Sequence, residues 1–297
     1  MNWIKLGKIF EVNNYNDWLV SHSAVPFVKY LKDGVFRIYF SVRNKYNQSQ
    51  SSFFDFHLTR MKVVNQLTKA PLMGPGISGS FDDCGVTLSC YCSENNLYYY
   101  MGWNLPKNAP FDNLIGASYL EDGVLNKLKE NPIIKKCDKE PLSFGYPWVL
   151  KVKDTYYMWY DTNFLWNSED LKNYKFPLRS AISNDGINWE KTYHTNIPLK
   201  DNERAIARPC VIYENDIFKM WYSIDTGGKY TLGYAESLDG CNWNRMDGEV
   251  GISTSCNGWD SEEIEYPFIF DFKEKRYMLY NGNYYGKSGI GLAVLEK

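Results

Sequence analysis

The stretch YPWVLKVKDTYYMWY, residues 146–160, decides the fold, because two further stretches repeat its layout. RPCVIYENDIFKMWY (208–222) and YPFIFDFKEKRYMLY (266–280) keep one spacing: Pro147 to Met158, Pro209 to Met220 and Pro267 to Met278 are each 11 residues apart. In every copy an apolar strand follows the proline, polar residues turn the chain, and a Tyr-rich strand centred on methionine returns. VPFVKYLKDGVFRIYF (25–40) is an earlier copy with one residue more in its turn, and SCYCSENNLYYYMG (89–102) fills the remaining place without the proline. Five copies of one unit predict an all-β, five-bladed β-propeller.

Each unit has a second half. LIGASYLEDG (114–123), LRSAISNDGINW (178–189), LGYAESLDGCNW (232–243) and IGLAVLEK (290–297) follow the Tyr-rich strands, and FHLTRMKVV (56–64) holds that place in the first unit. They supply a third strand, a hairpin turn and a fourth strand, giving four antiparallel strands per blade. The last unit runs out of chain, while MNWIKLGKIF at the N-terminus resembles the fourth-strand segments INWEKTYHTNI and CNWNRMDGEVGI. The N-terminal strand is therefore expected to close the last blade, which removes an exposed sheet edge. A closed ring leaves no internal boundary, so residues 1–297 are read as a single domain.

A net charge of −2, with Lys and Arg scattered, argues against a nucleic-acid partner. No apolar run reaches the roughly 20 residues of a membrane span. The first residues, MNWIKLGKIFEV, lack a basic head before an apolar core, and the expected location is cytoplasmic. Aromatic residues make up 17% of the chain, which suits blade packing first and sugar stacking second. Seven cysteines without a C-x-x-C pair, and three histidines, give no metal-ligand spacing, so the thiols are expected to be reduced and no metal site is predicted.

Propeller topology places on one rim the loops that enter first strands and those that leave second strands. Entering are His22, Asp82, Asp83, Glu203, Arg208, Asp260, Glu262, Glu265 and Tyr266; leaving are Arg43, Trp103, Asp161 and Asn281. Acids from several blades aimed at one place suit glycosidic-bond chemistry, in which one carboxyl protonates the leaving oxygen and another activates water or attacks carbon. Asp83 is expected as base or nucleophile and Glu265 or Glu262 as acid, with Glu203 a further catalytic carboxylate. His22, Arg43, Asp82, Trp103, Asp161, Arg208, Asp260, Tyr266 and Asn281 are the expected substrate contacts. Each has a structural counterpart: Asp82 caps the turn, Glu203 pairs with Arg208, and Trp103 or Trp166 packs instead of stacking on sugar. Asp185 and Asp239, in SNDGINW and SLDGCNW, are read as turn formers.

The blade pattern and its Ser-x-Asp-Gly-x-x-Trp turns resemble the five-bladed propeller glycosidases, namely glycoside hydrolase families 32, 43, 62 and 68 and the mannoside phosphorylases of family 130. HSAVP, DDCGVTLS, ERAIARP, GWDSEEIEYP and YMLYNGN are similar to motifs of propeller proteins from bacterial surface-polysaccharide gene clusters. The resemblance implies a carbohydrate-active enzyme that makes or breaks a glycosidic bond, and it allows a calcium ion in the central channel. The chain departs from the family 43 pattern: SHSAVP carries His22 and no acid before its proline, and FGYP has Gly145 where a glutamate is expected. Arg43, Arg208 and His22 among the acids open an alternative, a phosphorylase or transferase acting on a phosphate-linked or nucleotide-activated sugar. A non-catalytic carbohydrate-binding propeller is the third.

Overall fold

A computed structural model describes residues 1–65, 67–107, 109–163 and 174–296. Strand β1 (Trp3–Phe10) comes first. The next group is β2 (Ser21–Lys32), β3 (Val35–Arg43), β4 (Ser49–His57) and the short β5 (Lys62–Val63), followed by β6 (Gly85–Cys92), β7 (Leu97–Asn104), β8 (Asp112–Glu121) and β9 (Val124–Lys127). Then come β10 (Phe144–Val152), β11 (Thr155–Thr162), β12 (Leu178–Ser183) and β13 (Glu190–Ile197), and β14 (Ala205–Glu214), β15 (Ile217–Asp225), β16 (Tyr230–Ser237) and β17 (Asn244–Arg245). β18 (Glu265–Phe272), β19 (Lys275–Asn281) and β20 (Ile290–Leu295) end the chain. The fold is all-β: among the described residues the helical turns are 3-10 segments at Leu58–Arg60 and Asp247–Glu249. No helix there is long and apolar enough to cross a membrane.

Each group is an antiparallel meander, and the last is completed by β1, in the order β1-β20-β19-β18 with Trp3 opposite Leu295. A parallel bridge from Ser49 to Gly85 joins the first two groups into one sheet. A Cβ on Gly85 would lie 2.4 Å from the Ser49 nitrogen, so only glycine permits that approach. The first strands pack in a cycle: β2 on β6, β6 on β10, β10 on β14, β14 on β18, and β18 back on β2.

The repeat residues have separate tasks. Met158, Met220 and Met278 are fully buried in second strands covered on both faces, which is why those strands read as continuous apolar runs. The turn aspartates Asp185 and Asp239 accept hydrogen bonds from the amides two and three residues ahead, at 2.7–2.8 Å. Those turns then stitch neighbouring sheets: the Tyr99 hydroxyl donates to Gly186 O at 2.7 Å and Trp159 Nε1 to Gly240 O at 2.8 Å.

The prolines mark bulges. Register slips between Ala24 and Phe27, Gly145 and Trp148, Ala207 and Cys210, and Glu265 and Phe268. Proline has no N–H to donate and sits where the ladder is already interrupted. The residue before it takes a left-handed φ, 55° at Val25, 42° at Tyr146, 52° at Arg208 and 55° at Tyr266. Such backbone costs about 1–3 kcal/mol for a side-chain-bearing residue and persists where packing enforces it. Here it makes side chains from separate sheets converge: the Tyr146 and Tyr266 hydroxyls are 3.1 Å apart, and Arg208 Nη2 reaches Pro26 O at 3.1 Å.

Candidate active site

Most of the rim acids are braced. Asp82 accepts from Lys127 Nζ at 2.8 Å, from Ser80 Oγ at 2.8 Å and from the Tyr100 hydroxyl at 3.3 Å. Asp260 repeats this with Lys5 at 2.7 Å and Tyr280 at 3.1 Å, and Glu140 with Lys191 at 2.7 Å and Tyr160 at 3.2 Å. Glu203 is gripped by Arg245, Nη2 to Oε1 at 2.7 Å and Nη1 to Oε2 at 2.9 Å, and Arg245 also holds Asp247, which takes the Tyr222 hydroxyl. Burial pushes Glu203 up, but Arg245 and the Lys200 amide hold it below the usual carboxylate range. In four groups, therefore, an acid of the entering loop ties a base on the outermost strand to that group's tyrosine network. Asp82, Glu203 and Asp260 sit in these braces, and Glu203 pairs with Arg245 rather than with Arg208.

The remaining candidates separate. Asp83 Oδ2 accepts the Gly79 amide at 2.9 Å, and Glu262 is exposed and accepts the Tyr284 hydroxyl at 2.7 Å. Asn281 is buried and pins the start of β2 to β19, donating to Ser23 O at 2.7 Å and accepting the Val25 amide at 2.9 Å. Arg208 is fully buried beneath the rim, 5.4 Å from the Trp148 ring centre and 5.8 Å from that of Phe268, with no carboxylate partner among the described residues. Trp166 lies outside the described residues.

Five candidates, His22, Arg43, Trp103, Asp161 and Tyr266, line one cavity of about 410 Å³. The Arg43 guanidinium lies 4.8 Å from the Trp103 ring centre and donates only to Asn47 O, at 3.0 Å; no carboxylate pairs with it among the described residues. Burial pulls its pKa below the ordinary arginine value, with Tyr146 and Tyr266 opposing. His22 has a left-handed φ of 66° and its Nδ1 is 2.8 Å from Ser21 Oγ. Burial first, then the charges of Arg43 and Lys287, lower its pKa to about 4, so the ring is neutral at pH 7.

Asp161 is the next-to-last residue of the Tyr-rich strand β11 and is buried, with its Oδ1 lacking a hydrogen-bond partner. Burial pushes it up to about 8, and nearby backbone N–H groups of Gly145 and of Asp161 itself offset only part of that. A Cβ at position 145 would lie 2.3 Å from Asp161 Oδ1, so the missing side chain of Gly145 is the space the Asp161 carboxyl occupies. Glu265 lies behind Tyr266, fully buried, with neither oxygen in a well-formed hydrogen bond. Burial and then Glu263 raise it well above the carboxylate range, against partial relief from Tyr266 and from the Gly286 and Tyr285 amides.

The cavity walls were not legible as such: Phe111, Tyr174, Phe176, Tyr230 and Tyr285 come from loops or strand ends outside the repeated strands. Tyr146 had a signal, since it precedes a repeat proline as Tyr266 does. Among the described residues the cavity offers a cation without a carboxylate partner, a neutral carboxylic acid donor, a neutral imidazole and aromatic surfaces. All seven cysteines are free thiols, and no group of three His, Cys, Asp or Glu is arranged to hold a metal among the described residues.

No protein-family model matches the chain. A glycoside hydrolase structure superposes with a TM-score of 0.76 at 14% identity, covering 99% of this chain and 92% of that one. The β-1,2-mannobiose phosphorylase from Listeria innocua does so with a TM-score of 0.71 at 10% identity, covering 100% and 97%, and a glycosyl hydrolase from Bacteroides ovatus with 0.65 at 16%, covering 94% and 85%. The fold is thus that of glycosidase-like propellers. Two uncharacterized proteins of Mycobacterium tuberculosis, MT1551 and Rv1502, are each 37% identical over 300 residues, with 100% of both chains covered. The chain belongs to the family of these two mycobacterial proteins.

Proposed function

We propose that residues 1–297 form one five-bladed propeller domain that transfers a glycosyl group to or from phosphate, acting on a phosphate-linked sugar. The observation that carries this reading is the pairing, in one aromatic cavity, of a half-buried guanidinium with no carboxylate partner among the described residues, Arg43, with a carboxyl, Asp161, that burial keeps protonated up to about pH 8. Arg43 holds the phosphate as a charge-assisted fork. Asp161 gives its proton to the glycosidic oxygen as the bond from that oxygen to the anomeric carbon breaks, and a phosphate oxygen forms the new bond to the same carbon. Phosphate brings its own charge as nucleophile, so no second carboxylate is needed to activate water. The likeness to a phosphorylase fold supports this reading. In this reading the acid is Asp161 rather than Asp83, Glu203, Glu262 or Glu265.

Hydrolysis is the second reading, favoured by the unpartnered carboxyl of Glu265 next to Tyr266. The two part on one experiment: aryl glycosides and oligosaccharides incubated with and without inorganic phosphate, with sugar 1-phosphate as the readout. Phosphate-dependent formation of sugar 1-phosphate, abolished by Asp161→Asn and by Arg43→Ala, is the expected result. Equal release of free sugar without phosphate overturns phosphorolysis in favour of hydrolysis, and an unchanged rate in Asp161→Asn removes the assigned acid.

A further inference from the structure

The geometry points to a sugar phosphate whose phosphate also carries a hydrocarbon chain, the chain lying along the apolar lining of the cavity and leaving past Leu105; this rests on the phosphate-linked reading above. The cavity lining is mixed: beside Arg43, His22 and Asp161 it includes the apolar side chains of Leu105, Pro110, Phe111 and Phe176. The Phe111 and Phe176 rings lie nearly parallel, 19° apart with centres at 6.3 Å. Those four side chains offer no hydrogen bond, so the hydroxyls of a second sugar laid on them would lose their water without replacement, whereas methylenes would not.

The apolar wall continues to the outside. Leu105 and Tyr285 line the cavity and are still 63% and 46% exposed, and neighbouring loops expose Tyr46 at 73% and Ile77 at 78%. Tyr46, Ile77 and Tyr285 come from the loop after β3, the loop before β6 and the loop after β19, all on the rim that carries the cavity mouth. The first two loops are bonded to each other, Gln48 Nε2 to Asp83 O at 3.3 Å. Single exposed apolar residues are ordinary on a protein surface; exposed ones that also line a cavity holding an arginine, as Leu105 and Tyr285 do, are not. Lys107 and Lys287, exposed on loops of the same rim, add charge that complements a phosphate or an anionic headgroup. A phosphate at Arg43 thus has one ester directed at Asp161 and the other at a path of Leu, Pro and Phe leading to the surface.

Binding of three probes by calorimetry, below the micellar concentration, tests this without knowledge of the sugar: methyl phosphate, farnesyl phosphate and farnesol. Each buried methylene is worth roughly fourfold in affinity, so farnesyl phosphate is expected to bind at least about 100-fold more tightly than methyl phosphate. Arg43→Ala is expected to weaken both phosphates, and the double variant Leu105→Ser, Ile77→Ser to erase most of the farnesyl advantage. Equal affinity for methyl and farnesyl phosphate overturns the inference and leaves the phosphate reading standing. Farnesol binding as tightly as farnesyl phosphate, or a farnesyl advantage that survives the double variant, also overturns it. If no phosphate binds and Arg43→Ala changes nothing, the phosphate reading itself fails.

Discussion

Asp82 and Asp161 are both buried aspartates near the propeller rim, and they are opposites. Asp82 has a lysine, a serine and a tyrosine around it, and its partners recur in form at Asp260 and Glu140. Asp161 has an oxygen with no partner and a position left open by Gly145. A satisfied acid that recurs from group to group braces the scaffold, whereas the unsatisfied carboxyls of Asp161 and Glu265 are the ones the proposed chemistry can draw on. The same contrast separates Arg245, clasped by Glu203 and Asp247, from Arg43, clasped by no carboxylate among the described residues.

Breaking the contrast from its active side has the largest expected effect. Asp161→Asn keeps the shape of a neutral buried acid and removes its proton, so kcat is expected to fall about 10³-fold while urea unfolding changes little. Breaking it from the scaffold side reverses the pattern. Lys127→Ala leaves Asp82 buried and unpaired, an error worth about 3–5 kcal/mol, seen as a lower urea midpoint with phosphate affinity retained. If Lys127→Ala were neutral in stability and Asp161→Asn unfolded the chain, the division between scaffold acids and site acid would be inverted.

Arg43 gives the next effect. Arg43→Ala is expected to weaken phosphate binding about 10- to 100-fold by calorimetry. Because a partly desolvated cation with no carboxylate partner among the described residues is a burden, Arg43→Met should be no less stable than the parent in thermal melts. A large loss of stability would make Arg43 structural.

The pH dependence follows from Asp161. Its folded pKa, about 8, is above that of a free carboxyl, so between about pH 4 and 8 the unfolded chain carries fewer protons at this site than the folded one. This group's contribution to stability is complete below the unfolded pKa and falls as pH rises, at up to about 1.4 kcal/mol per unit, until both states are ionised above the folded pKa. His22 acts in the other direction, its lowered pKa of about 4 removing stability as pH falls from the ordinary histidine range towards that value. Chemical denaturation from pH 5 to 9 should therefore show a decline in the parent that flattens in Asp161→Asn. Activity should fall above about pH 8 as the acid ionises. An identical slope in parent and variant would mean that Asp161 is not held protonated.

The repeat and its closing strand were legible because they depend on local events: a proline that can occupy only a bulge, a Tyr-rich strand covered on both faces, an Asp-Gly turn, and a fourth-strand pattern at the N-terminus. Scaffold acids and site acids were not separable by the same means. Asp82 and Lys127 are 45 residues apart, Glu203 and Arg245 are 42, and Lys5 and Asp260 are 255. A brace between an entering loop and an outermost strand leaves no mark in local spacing. What could have flagged it is the recurrence of a base in the fourth strand wherever an acid precedes the first. Gly145 was legible as a departure from the family 43 pattern, but its meaning was not, since the carboxyl filling that place comes from the neighbouring strand.

That substitution of place supplies the smallest and most specific test. Gly145 and Asp161 face each other in the β10–β11 ladder, and a methyl at 145 would stand 2.3 Å from Oδ1 and 3.2 Å from Cγ of Asp161. Gly145→Ala adds no charge and no hydrogen-bonding group, so it acts only by swinging the carboxyl away from its position. A misplacement of about 1 Å in a reacting group costs up to 10²-fold, so kcat is expected to drop about 10-fold or more with phosphate affinity unchanged, because Arg43 is not moved. Gly145→Ala combined with Asp161→Asn should be no slower than Asp161→Asn alone, since the methyl has no acid left to displace. A further loss in the double variant would show that Gly145 serves the cavity in some other way, and an unaltered kcat in the single variant would show that the Asp161 carboxyl does its work, if any, from a different position.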